Sequence, residues 1–391
     1  MKYREDKYGN KLSILGFGCM RFPKKVGKSD LKTTEDLIVK AVEAGINYFD
    51  TAYIYGDSEK TLGTIPKKNK LRDKVFIATK LPFTHRNKKS DFDKCFNMQL
   101  KRLQTDYIDY YLIHMLTDID MWNKLVDLGI ESWIKEKKKT GKIKQIGFSF
   151  HGTQIDFLKI IDAYNWDFCQ IQYNYMNENY QAGKVGLKKA SELGIPVVIM
   201  EPLLGGKLVN LPTNAIKEFK SVDDLMSPVA WALKWLWNQK EVTLLLSGMN
   251  SMKQLEENIS IANNAKVNML TKSQNTAIKN VVNILNETYK IPCKGCNYCM
   301  PCPQGVNIPG CFASYNNYHV FGMVEGIKQY VMNVGMLSSK KARVSNCIRC
   351  GVCESKCPQN IKIRDSLEIA EKKLEPFWVK TILWIVSKFT K

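Results

Sequence analysis

Cysteine is nearly absent from the first 292 residues of this 391-residue sequence, which contain only Cys19, Cys95 and Cys169. The opening segment MKYREDKYGNKL has no apolar core and no small-residue cleavage site, so we expect no secretory signal and a cytoplasmic location. Thiols stay reduced in the cytoplasm, which argues against disulfides. The three isolated cysteines are therefore expected to pack as small hydrophobic side chains.

Long hydrophobic runs are also missing, although 45% of the residues are hydrophobic, and the mean hydropathy is −0.27. These values are typical of a globular domain. The most apolar segment, PFWVKTILWIVSKFTK, lies at the end of a predicted helical tail over residues 366–391 and is too short to span a bilayer. The pattern favours docking of this tail onto the protein or a second subunit over contact with a membrane surface.

Clustered positive charge is absent too, despite a formal net charge of +20. The lysines are scattered, with only short runs such as KEKKK at 135–139, and no nucleic-acid motif interleaves them with aromatic residues. This distribution indicates lysine-rich solvated helix faces and no nucleic-acid partner.

Eight short apolar runs alternate with amphipathic segments over residues 1–262, for which we predict an α/β (β/α)8 TIM barrel. The runs are SILGFGCM, INYFDTA, KVFIATKL, YIDYYLIHM, QIGFSFH, FCQIQYNY, IPVVIMEPL and EVTLLLSGM. A doubly wound open sheet is the alternative, but LGFGCM is followed by Arg-Phe-Pro, which does not open the helix that its phosphate turn requires. The segment YREDKYGNKL is expected to form a hairpin that plugs the bottom of the barrel.

Four polar residues lie at or just after the ends of three successive predicted strands: Asp50, Tyr55, Lys80 and His114. Chemistry in a TIM barrel is built at these carboxyl ends. A free tyrosine has a pKa of about 10, and a neighbouring lysine ammonium would lower it. We therefore predict a proton donor for carbonyl reduction, with Tyr55 as the acid and Lys80 as its activator. Asp50 would keep Lys80 charged, and His114 would orient the carbonyl oxygen.

Eight of the nine cysteines after position 292 fall into two runs, CKGCNYCMPCP and CIRCGVCESKCP. In each run three cysteines follow a C-x2-C-x2-C rhythm, and a later Cys-Pro supplies a ligand to the opposite cluster. We predict two [4Fe–4S] clusters, although structural zinc, which normally uses paired C-x2-C knuckles, is the alternative. One cluster takes Cys293, Cys296, Cys299 and Cys357, and the other takes Cys347, Cys350, Cys353 and Cys302. Cys311 is expected to pack rather than to ligate.

The segments NYFDTAYIYGDSE, ATK and DYIDYYLIH resemble the aldo-keto reductases over residues 12–262. This resemblance implies that Asp50, Tyr55, Lys80 and His114 form the catalytic tetrad of that family. It also implies an NADP(H) or NAD(H) cofactor held across the barrel mouth without a Rossmann fold.

Residues that match the cofactor contacts of the family follow the later strands. Ser149 and Gln172 match residues that hold the carboxamide, and PLLGGKL, with Leu203 and Gly205, matches the loop near the pyrophosphate. In SGMNSMKQLEEN the matching residues are Asn250 and Ser251 near the 2′-phosphate, with Gln254, Glu257 and Asn258 near the ribose and adenine. Phe150, Met200 and Gln254 replace an asparagine, an aromatic residue and an arginine that are frequent in the family.

The residues between the cysteine runs have helical spacing, and together with the runs they resemble an α-helical dicluster ferredoxin module. We place this module at residues 291–365, after a linking helix at 263–290. This fusion resembles a known branch of the aldo-keto reductases. The resemblance implies a reductase for a small carbonyl or alcohol substrate. Three roles stay open for the clusters: electron exchange with a ferredoxin-like partner, electron exchange with a further cofactor, or a structural role. The alternative is an electron-transfer or redox-sensing protein whose barrel binds nucleotide but turns over little.

Overall fold

The computed structural model describes residues 1–25, 28–82, 88–287, 289–293, 295, 298–336, 342–357 and 359–389. The chain forms two compact units. The first unit comprises Met1–Asn210 and Leu225–Lys272, and the second comprises Leu211–Asp224 and Ser273–Lys391.

The first unit contains a closed barrel of eight parallel strands, which confirms the predicted fold class. The strands are β1 (Leu15–Gly18), β2 (Tyr48–Asp50), β3 (Phe76–Pro82), β4 (Ile108–Leu116), β5 (Ile143–Phe150), β6 (Phe168–Gln172), β7 (Val197–Met200) and β8 (Leu244–Ser247). Each strand pairs with the next along the chain, and β8 closes the barrel by pairing with β1. All eight runs identified in the sequence become barrel strands.

Helices follow the strands and cover the outside of the barrel. They are α1 (Leu31–Glu43), α2 (Ser58–Lys68), α3 (Ser90–Leu103), α4 (Ile119–Asp127), α5 (Ile130–Lys139), α6 (Gln154–Ala163), α7 (Gly183–Glu192), α9 (Pro228–Trp237) and α10 (Met252–Asn263). The helix between α7 and α9 along the chain, α8 (Thr213–Val222), belongs to the second unit. Asp30, Ser227 and Ser251 begin three of these helices, and each side chain accepts a hydrogen bond from a first-turn N–H.

The amino-terminal hairpin closes one end of the barrel, as the sequence predicts. Its strands Tyr3–Glu5 and Lys11–Ser13 pair antiparallel. Between them, the Asp6 carboxylate accepts hydrogen bonds from the Tyr110 hydroxyl and the Gln145 amide, which lie near the beginnings of β4 and β5. The polar plug therefore occupies the amino-terminal end of the strands and leaves their carboxyl ends as the mouth.

The second unit is mainly helical. After α8 it contains α11 (Lys272–Glu287), α12 (Ile308–Phe321), α13 (Met323–Val331), a π-helical turn at Met332–Met336, α14 (Ile363–Leu374) and α15 (Phe377–Phe389). Its core includes Val306, Phe312, Tyr330 and Leu367, and five of the described cysteines pack on it or in it besides Cys311 and Cys353. Within the described residues, no helix is long and apolar enough to cross a membrane.

Candidate active site and cluster site

A buried ion pair lies at the mouth of the barrel, where β2 and β3 end. The Lys80 Nζ atom is 2.7 Å and 2.6 Å from the two carboxylate oxygens of Asp50, and it donates to the Thr51 carbonyl at 2.7 Å. Burial is the largest single effect and lowers the pKa of Lys80, but the charge and hydrogen bonds of Asp50 together with the charge of Tyr55 outweigh it and raise that pKa. The lysine therefore stays charged inside the protein.

Tyr55 lies over this ion pair. The Lys80 Nζ atom is 5.2 Å from the centroid of the Tyr55 ring. The Tyr55 and His114 rings meet edge to face, with centroids 6.1 Å apart and planes at 80°. The structure thus brings together the four residues that the sequence proposes as catalytic.

The net direction of the Tyr55 pKa differs from the sequence-based expectation of a lowered value. Burial is the largest effect and raises the pKa of Tyr55, and the charges of Asp50 and Glu201 add to it. The charge of Lys80 and its hydrogen bond lower the pKa, as predicted, but they do not outweigh burial. Tyr55 therefore stays protonated at neutral pH.

Two neutral imidazoles stand near the lysine. Burial, followed by the charges of Lys80 and His151, holds the pKa of His114 well below its usual range, and its Nδ1 atom has no hydrogen-bond partner among the described residues. His151 directly follows β5, and burial and Lys80 lower its pKa to about 4. Sequence reasoning missed His151, although the same strand-end rule, applied to QIGFSFH, identifies it.

A buried polar network fixes the loop that carries Tyr55. The Glu59 carboxylate, at the start of α2, accepts hydrogen bonds from Thr79 at 2.7 Å and from Gln99 at 2.8 Å. It also pairs with Arg102 at 3.0 Å, and Arg102 donates in turn to the Tyr53 carbonyl. Tyr55 is thus held by residues on α2, α3 and β3 that the sequence did not single out.

We expect the Asp50→Asn variant to be about 3–5 kcal/mol less stable than the wild type, because it leaves the Lys80 charge buried without its partner. Urea unfolding followed by the fluorescence of the buried barrel tryptophans measures this loss. Glu178→Gln, which removes a solvent-exposed pair with Lys184 at 2.8 Å, is the matched control and should cost much less. Equal losses in the two variants would contradict the assigned role of the buried pair.

The proposed carboxamide contacts lie at the ends of β5 and β6. Gln172 is buried, and neither its amide nitrogen nor its amide oxygen has a hydrogen-bond partner among the described residues. The Ser149 hydroxyl oxygen accepts from the Met115 N–H at 2.8 Å, which leaves its own hydrogen available to another acceptor. The Gln172 amide offers one donor and one acceptor, which complement the acceptor and the donor of a nicotinamide carboxamide. The residues present therefore suit this cofactor.

The proposed pyrophosphate loop is irregular. Gly205 has φ +71°, in the left-handed region that favours glycine. Its carbonyl accepts from the Arg21 guanidinium at 3.0 Å, and Leu203 is partly buried beside it. Arg21 lies just after β1, so this cation was another residue that sequence reasoning missed.

The proposed adenosine contacts separate into two groups. Asn250, Ser251 and Gln254 form the amino-terminal turn of α10, where Ser251 caps the helix and the Gln254 side chain accepts from the Asn250 N–H at 2.9 Å. Glu257 accepts from the Ser227 hydroxyl at 2.7 Å, and buried Asn258 donates to Ser247 at 2.9 Å. The first group is therefore the more open to a ligand, while the second is already engaged within the barrel unit.

In the second unit, four cysteines line one shallow recess that is partly open to solvent. They are Cys302, Cys347, Cys350 and Cys353. This set joins the second triplet to the Cys-Pro cysteine of the first run, which is the crossed set that the sequence predicts for one cluster.

Of the cysteines proposed for the other cluster, Cys293, Cys299 and Cys357 are partly buried against the core of the second unit. Cys296 lies outside the described residues. No three or more His, Cys, Asp and Glu side chains in the described ranges converge closely enough to hold a single metal ion. A cubane cluster differs from a single ion, because each thiolate binds its own iron and the four ligands surround a volume. The four thiols that line one recess are the donor set that such a group requires.

The barrel and the cysteine-bearing helical unit define an oxidoreductase with a 4Fe–4S domain. The chain belongs to the aldo/keto reductase family, whose model matches residues 14–283. A model of the 4Fe-4S dicluster domain matches residues 292–361. Both resemblances seen in the sequence are thereby confirmed.

Relatives match the barrel part. The chain is 24% identical over 293 residues to the aldo-keto reductase yakc of Schizosaccharomyces pombe, whose name specifies NADP(+), covering 64% of this chain and 84% of the relative. The match to aldo-keto reductase str7 of Strobilurus tenacellus is 25% identical over 297 residues and covers 66% and 86%.

Solved structures show the same fold. The holo form of aldo-keto reductase AKR11C1 from Bacillus halodurans has a TM-score of 0.60 at 24% identity and covers 72% of this chain and 96% of that one. An aldo-keto reductase from Klebsiella pneumoniae in complex with NADPH has a TM-score of 0.59 at 18% identity, with 72% and 95% covered.

Proposed function

We propose that this chain reduces an aldehyde or ketone with NAD(P)H, or runs the reverse oxidation, with Tyr55 as the general acid and base. The buried pair of Lys80 and Asp50, lying directly under Tyr55 and beside a neutral His114, is the observation that carries this proposal. Because Asp50 keeps Lys80 charged without solvent, the lysine can stabilise negative charge on Tyr55 in a site from which water is excluded.

The residues at the mouth would divide the chemistry among them. The nicotinamide, when bound, supplies or accepts the hydride. His114, as a neutral imidazole, would donate one hydrogen bond to the substrate oxygen and orient the carbonyl. Tyr55 would give its proton to that oxygen during reduction and take it back during oxidation. Ser149 and Gln172 would hold the carboxamide so that one face of the ring meets the carbonyl carbon.

We propose NADP(H) as the cofactor and NAD(H) as the alternative. The amide and hydroxyl groups of Asn250, Ser251 and Gln254 cluster at the amino terminus of α10, where the helix dipole favours a phosphate. The NADPH complex of the Klebsiella pneumoniae enzyme and the name of the yeast relative support this choice. The ratio of kcat/KM for NADPH and NADH tests it, and a ratio below one would reverse it.

We expect the rate of reduction to be flat between about pH 6 and 9, because no mouth group should titrate there. Burial raises the pKa of Tyr55 above its ordinary value, so the acid stays protonated. The pKa of His114 is well below its usual range and that of His151 is about 4, so both stay neutral. Oxidation of the alcohol needs Tyr55 in its deprotonated form as the base, so the rate of this reaction should rise with pH. Profiles of kcat/KM in both directions measure this, and a midpoint near 6.5 would contradict it.

For the second unit we propose two [4Fe–4S] clusters, one held by Cys293, Cys296, Cys299 and Cys357 and the other by Cys302, Cys347, Cys350 and Cys353. The cysteine recess supports the second set. Clusters of this kind supply or accept single electrons. Cys350 is solvent-exposed, which suits exchange with a ferredoxin-like protein partner at the surface of this unit.

One anaerobic experiment tests the proposed function. The holoprotein is mixed with NADPH or NADH and a panel of aldehydes and ketones, while absorbance follows cofactor oxidation and EPR follows the clusters. Oxidation that depends on the carbonyl and forms the matching alcohol is the expected result. No alcohol formation with any member of a broad panel would count against the reductase.

Electron transfer or redox sensing is the second candidate, favoured by the same exposed Cys350 beside the recess. In that case NAD(P)H would reduce the clusters without any turnover of a carbonyl. The EPR arm of the experiment therefore separates the two functions.

A further inference from the structure

The carboxy-terminal helix α15 presents apolar side chains to solvent along one side. Phe377 is 86% exposed, Trp378 47%, Ile382 39% and Trp384 57%. With 3.6 residues per turn, these four positions and the intervening Thr381 occupy one continuous face, which we call the aromatic face. Single exposed apolar residues are ordinary, but a contiguous group of this kind marks a contact surface.

The orientation of this face is set by the rest of the second unit. Val379 and Leu383, on the opposite side of α15, are fully buried in the core. Just before the helix, the buried Glu375 carboxylate accepts a hydrogen bond from the Tyr330 hydroxyl. The sequence-based expectation that the tail docks onto the protein thus accounts for one side of the helix. The aromatic face, on the other side, stays partly exposed to solvent.

Charge indicates what covers the face. Residues 377–391 contain three lysines and neither Asp nor Glu, and residues 273–391 contain sixteen Lys and Arg against seven Asp and Glu. Lys380, at the edge of the aromatic face, is itself half exposed and 3.5 Å from Glu371. Tryptophan and phenylalanine beside lysine form the composition that settles at the headgroup level of an anionic bilayer.

A second copy of the chain fits this surface less well. A twofold contact through this face would bring together two tails that each carry three lysines and no acidic residue. A stable protein interface also uses about 20–30 residues a side, several times the number on the aromatic face. We therefore propose that α15 is an interfacial anchor. It lies on an anionic lipid surface with the aromatic face inserted, and it thereby holds the second unit at the membrane. This proposal does not depend on the catalytic function.

Co-sedimentation with vesicles tests the anchor. The full-length holoprotein is incubated with vesicles of phosphatidylcholine alone or mixed equally with phosphatidylglycerol. We expect the protein to bind the mixed vesicles, and to bind vesicles without the anionic lipid about tenfold more weakly. Added salt should also weaken binding to the mixed vesicles. The Trp378→Ser, Trp384→Ser double variant should bind at least about tenfold more weakly. Leu193→Ser, which removes an exposed apolar side chain at the end of α7, is the control and should bind normally.

Truncation of α15 is avoided because it would also remove the buried Val379 and Leu383. Unchanged iron content and circular dichroism show that the double variant is folded. Lys388→Glu with Lys391→Glu is a second variant that keeps both tryptophans and should abolish the preference for anionic vesicles. Wild-type protein that stays in the supernatant, or a double variant that binds as tightly, overturns the anchor. A wild-type dimer that the double variant converts to monomers assigns the face to a second copy and also overturns it.

Discussion

The Tyr55→Phe variant is expected to lower kcat for carbonyl reduction by about 10²- to 10⁴-fold, the contribution of a positioned general acid. The change removes a single oxygen atom and leaves the aromatic ring against His114. Lys80 keeps three hydrogen bonds, two to Asp50 and one to the Thr51 carbonyl, so its charge stays satisfied. The loss should therefore appear in kcat rather than in folding.

Steady-state assays with the best carbonyl substrate, together with titration of NADPH fluorescence, separate these effects. NADPH affinity should stay within a few-fold of the wild-type value, because the proposed cofactor contacts do not include the Tyr55 hydroxyl. Tyr53→Phe is the matched control, since it removes a phenol oxygen from the same loop two residues earlier and should leave kcat unchanged. A Tyr55→Phe enzyme with more than a tenth of the wild-type kcat would exclude Tyr55 as the acid.

The barrel was predictable because its strands are buried on both faces and therefore appear as continuous apolar runs. The same logic located Asp50, Lys80 and His114, since a polar residue that ends an apolar run must lie where parallel strands end together. In the strand register Asp50 lies opposite Ala78 and His114 opposite Pro82, so each pairs with a β3 residue two positions from Lys80. Local pattern was sufficient for this part of the site.

The electrostatics could not be predicted in the same way. The sequence places Lys80 beside Tyr55 but contains no measure of how deeply the phenol is buried, and burial decides the direction of its pKa. The bond between Ser227 and Glu257 and that between Arg21 and Gly205 join residues 30 and 184 positions apart. Such partners are set by tertiary packing, and no spacing in the sequence predicts them.

The crossed cysteine set depends both on sequence pattern and on tertiary packing. The rhythm of the two runs predicts Cys302 for the second cluster, and Cys302 lines the recess with Cys347, Cys350 and Cys353. The gap before Cys302 is one residue shorter than the gap before Cys357. Cys302 reaches the recess despite this contraction, which indicates that the spacing within a triplet is more constrained than the spacing to the crossing cysteine.

Cys302→Ser is therefore expected to lose the cluster of the second triplet and about half of the protein-bound iron, because a [4Fe–4S] cluster normally needs four thiolates. Iron analysis and EPR of the anaerobically purified, dithionite-reduced protein measure the loss. Cys357→Ser should lose the other cluster by the same reasoning, so the two variants should retain complementary EPR signals. Cys311→Ala is the control, because Cys311 is fully buried and does not line the recess.

The pattern of losses distinguishes the crossed arrangement from an uncrossed one. If each run instead held its own cluster, Cys302→Ser would remove the signal of the first triplet and Cys357→Ser that of the second. Triplet variants Cys299→Ser and Cys353→Ser provide the reference signals, since under either arrangement Cys299 belongs to the proposed cluster of the first triplet and Cys353 to that of the second. A Cys302→Ser spectrum that matches Cys353→Ser supports the crossed set, whereas one that matches Cys299→Ser would overturn it. Zinc in place of iron in the wild-type protein would overturn both.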